Sequence, residues 1–151
     1  MRFLHTMIRI RNVDEALDFW CAKLGLEEVR RHESEAGRFT LIFLAAPQNQ
    51  EQSARERAPE LELTWNWPNA NGVGETYTGG RNFGHLAYKT ANIYALCQSL
   101  MDKGVTINRP PRDGNMAFVK SPDGISVELL QEGEPLPPAE PWISMPNTGS
   151  W

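Results

Sequence analysis

Cysteine is scarce. Only Cys21 and Cys97 occur in 151 residues, both inside helical patterns and far apart, so no disulfide framework is available. That usage fits a reducing compartment, most simply the cytoplasm. Long apolar runs are also missing. The longest, such as Leu41 to Ala46, reach five or six residues, far short of the ~20 that a membrane helix needs. The opening MRFLHTMIRIR alternates and carries charge, which is not the pattern of a signal peptide. Excess positive charge is absent as well: fifteen Lys+Arg face nineteen Asp+Glu, for a net charge of −4. No basic stripe appears, so nucleic acid is excluded as a partner. What remains is an ordinary globular balance, 40% hydrophobic and 23% charged, in a chain long enough for one domain or two small repeated units.

The sequence reads as one module written twice. Residues 3–10 alternate as a strand, with Phe3, His5, Met7 and Arg9 on one face and Leu4, Thr6, Ile8 and Ile10 on the other. Asn12 is placed to cap a helix, with Glu15 three residues on. Val13, Ala16, Leu17, Trp20 and Leu24 then recur at helical spacing until Gly25 stops the helix. Strands are predicted over 27–31, 39–44 and 60–66. The order is β-α-β-β-β. From Phe83 it begins again: a strand over 84–89, a helix capped by Asn92 and stopped by Gly104, then strands over 105–108, 116–120 and 125–130. The helix should bury Ile93, Leu96, Cys97, Leu100 and Met101. Ser121-Pro122-Asp123-Gly124 is a turn between the last two strands. His5 and His85 stand 80 residues apart, and so do Asn12 and Asn92.

This predicts an α+β fold of two βαβββ modules in tandem, with mixed curved sheets and the helices outside. The first module covers 1–66, a Gly-, Asn- and Thr-rich linker 67–82, the second module 83–131 and a Pro-rich tail 132–151. The polar segment 46–59 reads as an exposed loop. A Pro-rich end reads first as a disordered terminus, but Trp142, Ile143, Met145 and Trp151 favour a tail that wraps a surface, its own or a partner's.

Two histidines and two glutamates carry the chemical signal. His5 opens the first module and Glu62 lies in its last strand; His85 and Glu128 hold the same places in the second. Both glutamates stand among apolar neighbours, and a buried carboxylate needs a partner. One His and one Glu per module make an N2O2 donor set that suits Zn²⁺, Ni²⁺, Co²⁺ or Fe²⁺ and leaves positions open for water or substrate. His32, in the charged run RRHESE, is expected to face solvent. Arg9 shares the face of His5, Thr64 and Asn66 share that of Glu62, and Arg81 and Phe83 share that of His85. Arg9, Asn66 and Arg81 beside a metal suit an anionic, peptide-like substrate, because guanidinium binds carboxylate bidentately.

The segments LHTMIRIRNVDEALDFW, LELTWNW, RNFGHLAY and SPDGISVELLQ resemble the glyoxalase I (lactoylglutathione lyase) family of the vicinal-oxygen-chelate superfamily, over residues 2–131. The resemblance implies a homodimeric enzyme acting on the hemithioacetal of glutathione and methylglyoxal to give S-D-lactoylglutathione. It implies one divalent metal ion per site on His5, Glu62, His85 and Glu128, with nickel or cobalt favoured and zinc possible, and glutathione as cosubstrate. His5 and Glu62 would come from one protomer and His85 and Glu128 from the other. Arg9, Asn66 and Arg81 would contact glutathione. Glu128 would take the substrate proton and Glu62 would serve the other carbon. Such a shift passes through an enediolate, whose charge a divalent metal stabilises.

Two departures stand out. The loop before NMAFVK is short, RPPRDGN, and the lysine expected to help hold glutathione is missing, leaving Arg112 as its substitute. The Pro-rich tail is an addition. Alternatives are another metal-dependent superfamily enzyme, such as an acyl-CoA epimerase, a dioxygenase or a thiol transferase, and a non-catalytic binding protein on the same fold. A dioxygenase would use two His and one Glu, against Glu62. A metal-free binder would not need all four ligand-grade residues.

Overall fold

The computed structural model describes residues 1–151. The chain divides into two compact units, Met1–Thr78 and Gly79–Trp151. The first holds β1 (His5–Arg9), α1 (Val13–Leu17), β2 (Glu27–Ser34), β3 (Phe39–Ala45), α2 (Gln50–Glu56) and β4 (Glu60–Asn66). Its sheet runs β1-β4-β3-β2, so the first strand pairs in parallel with the last. The second holds β5 (His85–Thr90), α3 (Ile93–Asp102), β6 (Met116–Lys120) and β7 (Ser126–Gln131), in a sheet ordered β5-β7-β6 with β5 and β7 parallel.

The predicted caps are in place. Asn12 Oδ1 accepts from the Glu15 amide at 3.1 Å, and Asn92 Oδ1 from the Ala95 amide at 3.0 Å. Each satisfies a backbone donor that a helix start leaves without an intrahelical partner. Beyond α1 the chain does not stay α-helical: Asp18–Lys23 forms a π-helix that buries Phe19 and Trp20. Both helical segments end before a glycine in the left-handed region, Gly25 at φ 85° and Gly104 at φ 79°, a conformation that costs glycine little. Ile8, Ile10, Ala16, Phe19, Trp20, Ile42, Leu44, Leu61 and Leu63 are buried in the first unit, and Ile93, Cys97, Leu100, Ala117, Val119, Val127 and Leu129 in the second.

Three expectations are corrected. Residues 105–108 form no strand, so the second unit has a three-stranded sheet. Only Arg109 bridges to Phe118; Pro110 and Pro111 follow at once, and without N–H groups they cannot extend a ladder. Segment 46–59 is not a loop. A 3-10 turn at Pro47–Asn49 leads into α2, which is rich in good helix formers and buries Ser53. Met101 is exposed rather than part of the apolar face of α3.

α2 packs beside the buried carboxylate of Glu60, whose side chain is 1% exposed. Arg30 Nη1 lies 2.6 Å from both oxygens, hydrogen-bonding Oε1 and holding Oε2 by charge alone, while Ser53 Oγ donates to Oε1 at 2.6 Å. The Arg30 guanidinium covers the Phe43 ring at 3.5 Å, a cation–π arrangement.

The tail wraps its own unit. Trp142 is 3% exposed and stacks on Tyr94, with centroids 5.8 Å apart and planes 6° from parallel. Leu136 N donates to Gly114 O at 3.0 Å; a Cβ on Gly114 would fall 1.9 Å from the Leu136 carbonyl oxygen, so only glycine admits this approach. Asn108 and Thr148 exchange two hydrogen bonds at 2.8 and 2.9 Å. Trp151 stacks on Phe118 at 6.1 Å.

Candidate functional site

The parallel pairing of first and last strands assembles a His–Glu pair in each unit. In the first, Met7 is the register partner of Glu62, which puts His5 one pleat away on the same face. His5 Nε2 lies 2.9 Å from Glu62 Oε2. In the second, Ala87 is the partner of Glu128, and His85 Nε2 lies 3.2 Å from Glu128 Oε2. The carboxylates are largely buried, 11% and 15% exposed, and the imidazoles more open, 35% and 43%. A half-exposed imidazole beside a sheltered carboxylate gives a potential ligand pair.

A phenylalanine backs each histidine. Phe43 is the register partner of Glu62 and meets the His5 ring edge-on at 5.8 Å. Phe118 is the partner of Glu128 and meets His85 edge-on at 5.4 Å. These rings limit the rotamers of the two imidazoles. Neither was singled out from sequence; each stands directly across from its glutamate on the neighbouring antiparallel strand.

The other expected site residues fall out unevenly. Arg9 ends β1 and Asn66 ends β4, both in the first unit. Asn66 Nδ2 donates to Glu75 Oε2 at 2.9 Å, and Tyr77 Oη donates to the same oxygen at 2.9 Å. The Asn66 amide foremost, then the Tyr77 hydroxyl and the charge of Arg9, hold the Glu75 carboxyl below the usual carboxylate range. Glu75 was missed because it lies in a segment with no strand or helix pattern. Arg81 lies in the second unit, exposed, four residues before His85. Arg112 is committed to the tail: its Nη1 donates to Met145 O and its Nη2 to Asn147 Oδ1, both at 2.8 Å. It is therefore not a free stand-in for the missing lysine. His32 is exposed, as expected.

No group of three or more His, Cys, Asp or Glu side chains able to hold a metal ion occurs. Each unit offers one imidazole nitrogen and one carboxylate oxygen, two donors of the kind borderline divalent ions accept. The donor chemistry fits such an ion; two donors are half of a four-ligand set.

The profile of the glyoxalase/bleomycin resistance protein/dioxygenase superfamily matches residues 2–129. The chain belongs to this superfamily. A protein of Synechocystis sp. named probable lactoylglutathione lyase is 36% identical over 136 residues, 87% of this chain and 95% of that one. The lactoylglutathione lyase of Neisseria meningitidis serogroup A is 34% identical over 137 residues, 87% of this chain and 91% of its own. Among solved structures, the trypanothione-dependent glyoxalase I of Leishmania major is similar with a TM-score of 0.71 at 31% identity, covering 87% of this chain and 86% of that chain. The superfamily's paired-module fold is thus present here with one sheet reduced to three strands.

Proposed function

We propose that the chain is a lactoylglutathione lyase, converting the hemithioacetal of glutathione and methylglyoxal to S-D-lactoylglutathione. The observation that carries this reading is the repeated His–Glu pair, built at the same place in each unit by the same parallel strand pairing. The lactoylglutathione lyases to which the chain is similar over most of its length support it. In this reading the cytoplasmic enzyme is a homodimer, and His5 and Glu62 of one protomer share a divalent ion, nickel or cobalt by preference, with the partner's His85 and Glu128. When bound, the ion supplies electrostatic stabilisation of the charge that develops on the substrate oxygens. The protein's own groups do the rest. Glu128 takes the proton from one carbon and Glu62 serves the adjacent carbon. Phe43 and Phe118 keep the imidazoles in place. Arg9, Asn66 and Arg81 hold the carboxylate and amide groups of glutathione.

The test is absorbance at 240 nm after mixing protein with nickel, cobalt or zinc, glutathione and methylglyoxal. A metal-dependent rise supports the assignment; no rise with any of the three ions refutes it.

A further inference from the structure

Glu75 ends up where only a substrate group was anticipated. Its Oε2 takes both hydrogen bonds, from Asn66 Nδ2 and Tyr77 Oη at 2.9 Å each, and Oε1 takes none. The carboxylate is thus oriented by two neutral donors and keeps one oxygen open. Tyr77 Oη is also 3.4 Å from the Ile10 carbonyl oxygen, which anchors the segment to the end of β1. Arg9, at the end of that strand, is near enough for its charge to act on Glu75. A fixed anion, a neutral amide and a cation therefore share one edge of the first unit.

A site built for an anion alone would not place a fixed carboxylate beside its cation, because like charges repel. A ligand that carries both charges is the natural complement. The thiol proposed above carries such a group: its γ-glutamyl end is a free α-amino acid, with an ammonium and a carboxylate on one carbon. We infer that Glu75 is a specificity-determining residue that receives the α-ammonium of the thiol substrate on Oε1, while Arg9 faces the adjacent carboxylate and the Asn66 amide holds Glu75 in position. This rests on the glutathione reading and adds to it a residue and a rule: the enzyme selects thiols with a free amino-acid head.

The experiment uses the full-length, nickel-loaded protein and two probes, glutathione and N-acetylglutathione. Dissociation constants come from isothermal titration, and KM from turnover of each thiol's methylglyoxal adduct. Wild type should bind glutathione more tightly than the N-acetyl form. Glu75→Gln keeps the side chain's shape and should weaken glutathione by about three- to tenfold, the scale of one exposed charge-assisted contact, while leaving N-acetylglutathione unchanged. Equal weakening of both ligands would reduce Glu75 to a support for Asn66 and overturn the inference. Unchanged or tighter glutathione binding, or wild type binding neither thiol, would also overturn it. Titration that discriminates the two thiols without turnover of either would refute the lyase reading and leave the recognition of the head group standing.

Discussion

Arg30→Met isolates the cost of stranding one buried charge. Glu60 has a side chain only 1% exposed, and its sole cationic partner is Arg30 Nη1 at 2.6 Å. With methionine at 30, Glu60 keeps one hydrogen bond, from Ser53 Oγ, and no counter-charge. Breaking a buried pair this way costs about 3–5 kcal/mol. For a chain of this length, ~2–4 °C per kcal/mol makes that a fall in Tm of roughly 10 °C. The reverse change should be milder. Arg30 is 29% exposed, so after Glu60→Gln its guanidinium stays hydrated and stacked on Phe43, and about 1 kcal/mol is lost. Replacing both partners, Arg30→Met with Glu60→Leu, should recover most of the loss, because no unpaired charge remains. Urea unfolding at pH 7 measures all three, with the slope m unchanged. A loss below ~1 kcal/mol for Arg30→Met, or a double variant no better than that single one, would show that the pair is not holding a buried charge.

Glu128→Gln should retain metal while kcat falls at least the ~10²-fold typical of losing a general base; metal analysis beside turnover checks this, and near-full turnover would move the proton to Glu62. Arg9→Ala should raise KM for the glutathione adduct far more than it lowers kcat, because its contact exists in ground and transition states alike; steady-state kinetics with an unchanged KM would remove Arg9 from the thiol's site. Alkaline pH should destabilise the fold through two buried acids. Burial pushes the Cys97 thiol up from 9.0 to about 12 and the Tyr88 phenol up from 10.0 to about 12. The folded chain then keeps protons that the unfolded chain releases, so stability is full below pH 9 and declines from there toward pH 12, with a slope approaching ~1.4 kcal/mol per pH unit for one group. Urea midpoints between pH 8 and 11 measure the decline, and a flat profile would contradict it.

The strand order and the first helix of the first unit were legible because their signals are local: alternation in 3–10, a cap at Asn12, a stop at Gly25. So were the His–Glu pairs, since a repeated order implies a repeated neighbourhood. Where the outcome depended on distant partners, legibility failed. Residues 105–108 have a strand-like composition, but a fourth strand needs a partner in β6, and the pairing there is a single bridge from Arg109 to Phe118. The polar segment 46–59 looked unstructured until α2 found the Glu60 carboxylate to pack beside. Glu75 carries no pattern of its own and gains meaning only from Asn66 and Tyr77 in space. Arg112 looked free in sequence and is consumed by the tail.

Because the first and last strands of each unit lie side by side, its two candidate ligand residues are distant in sequence and adjacent in space. His5 and Glu62 are 57 positions apart, and His85 and Glu128 are 43. An ion gripping both members of a pair would act as a removable cross-link over a long loop. By the chain-entropy scale for covalent loops, closures of that length are worth roughly 4 kcal/mol each. In the proposed enzyme a chelator would then take away catalyst and staple in one step. The timing follows as well. During synthesis the histidine emerges first and waits, and its glutamate arrives only with the strand that completes the sheet, so the pair that would receive the ion exists only once the parallel pairing of its sheet has formed.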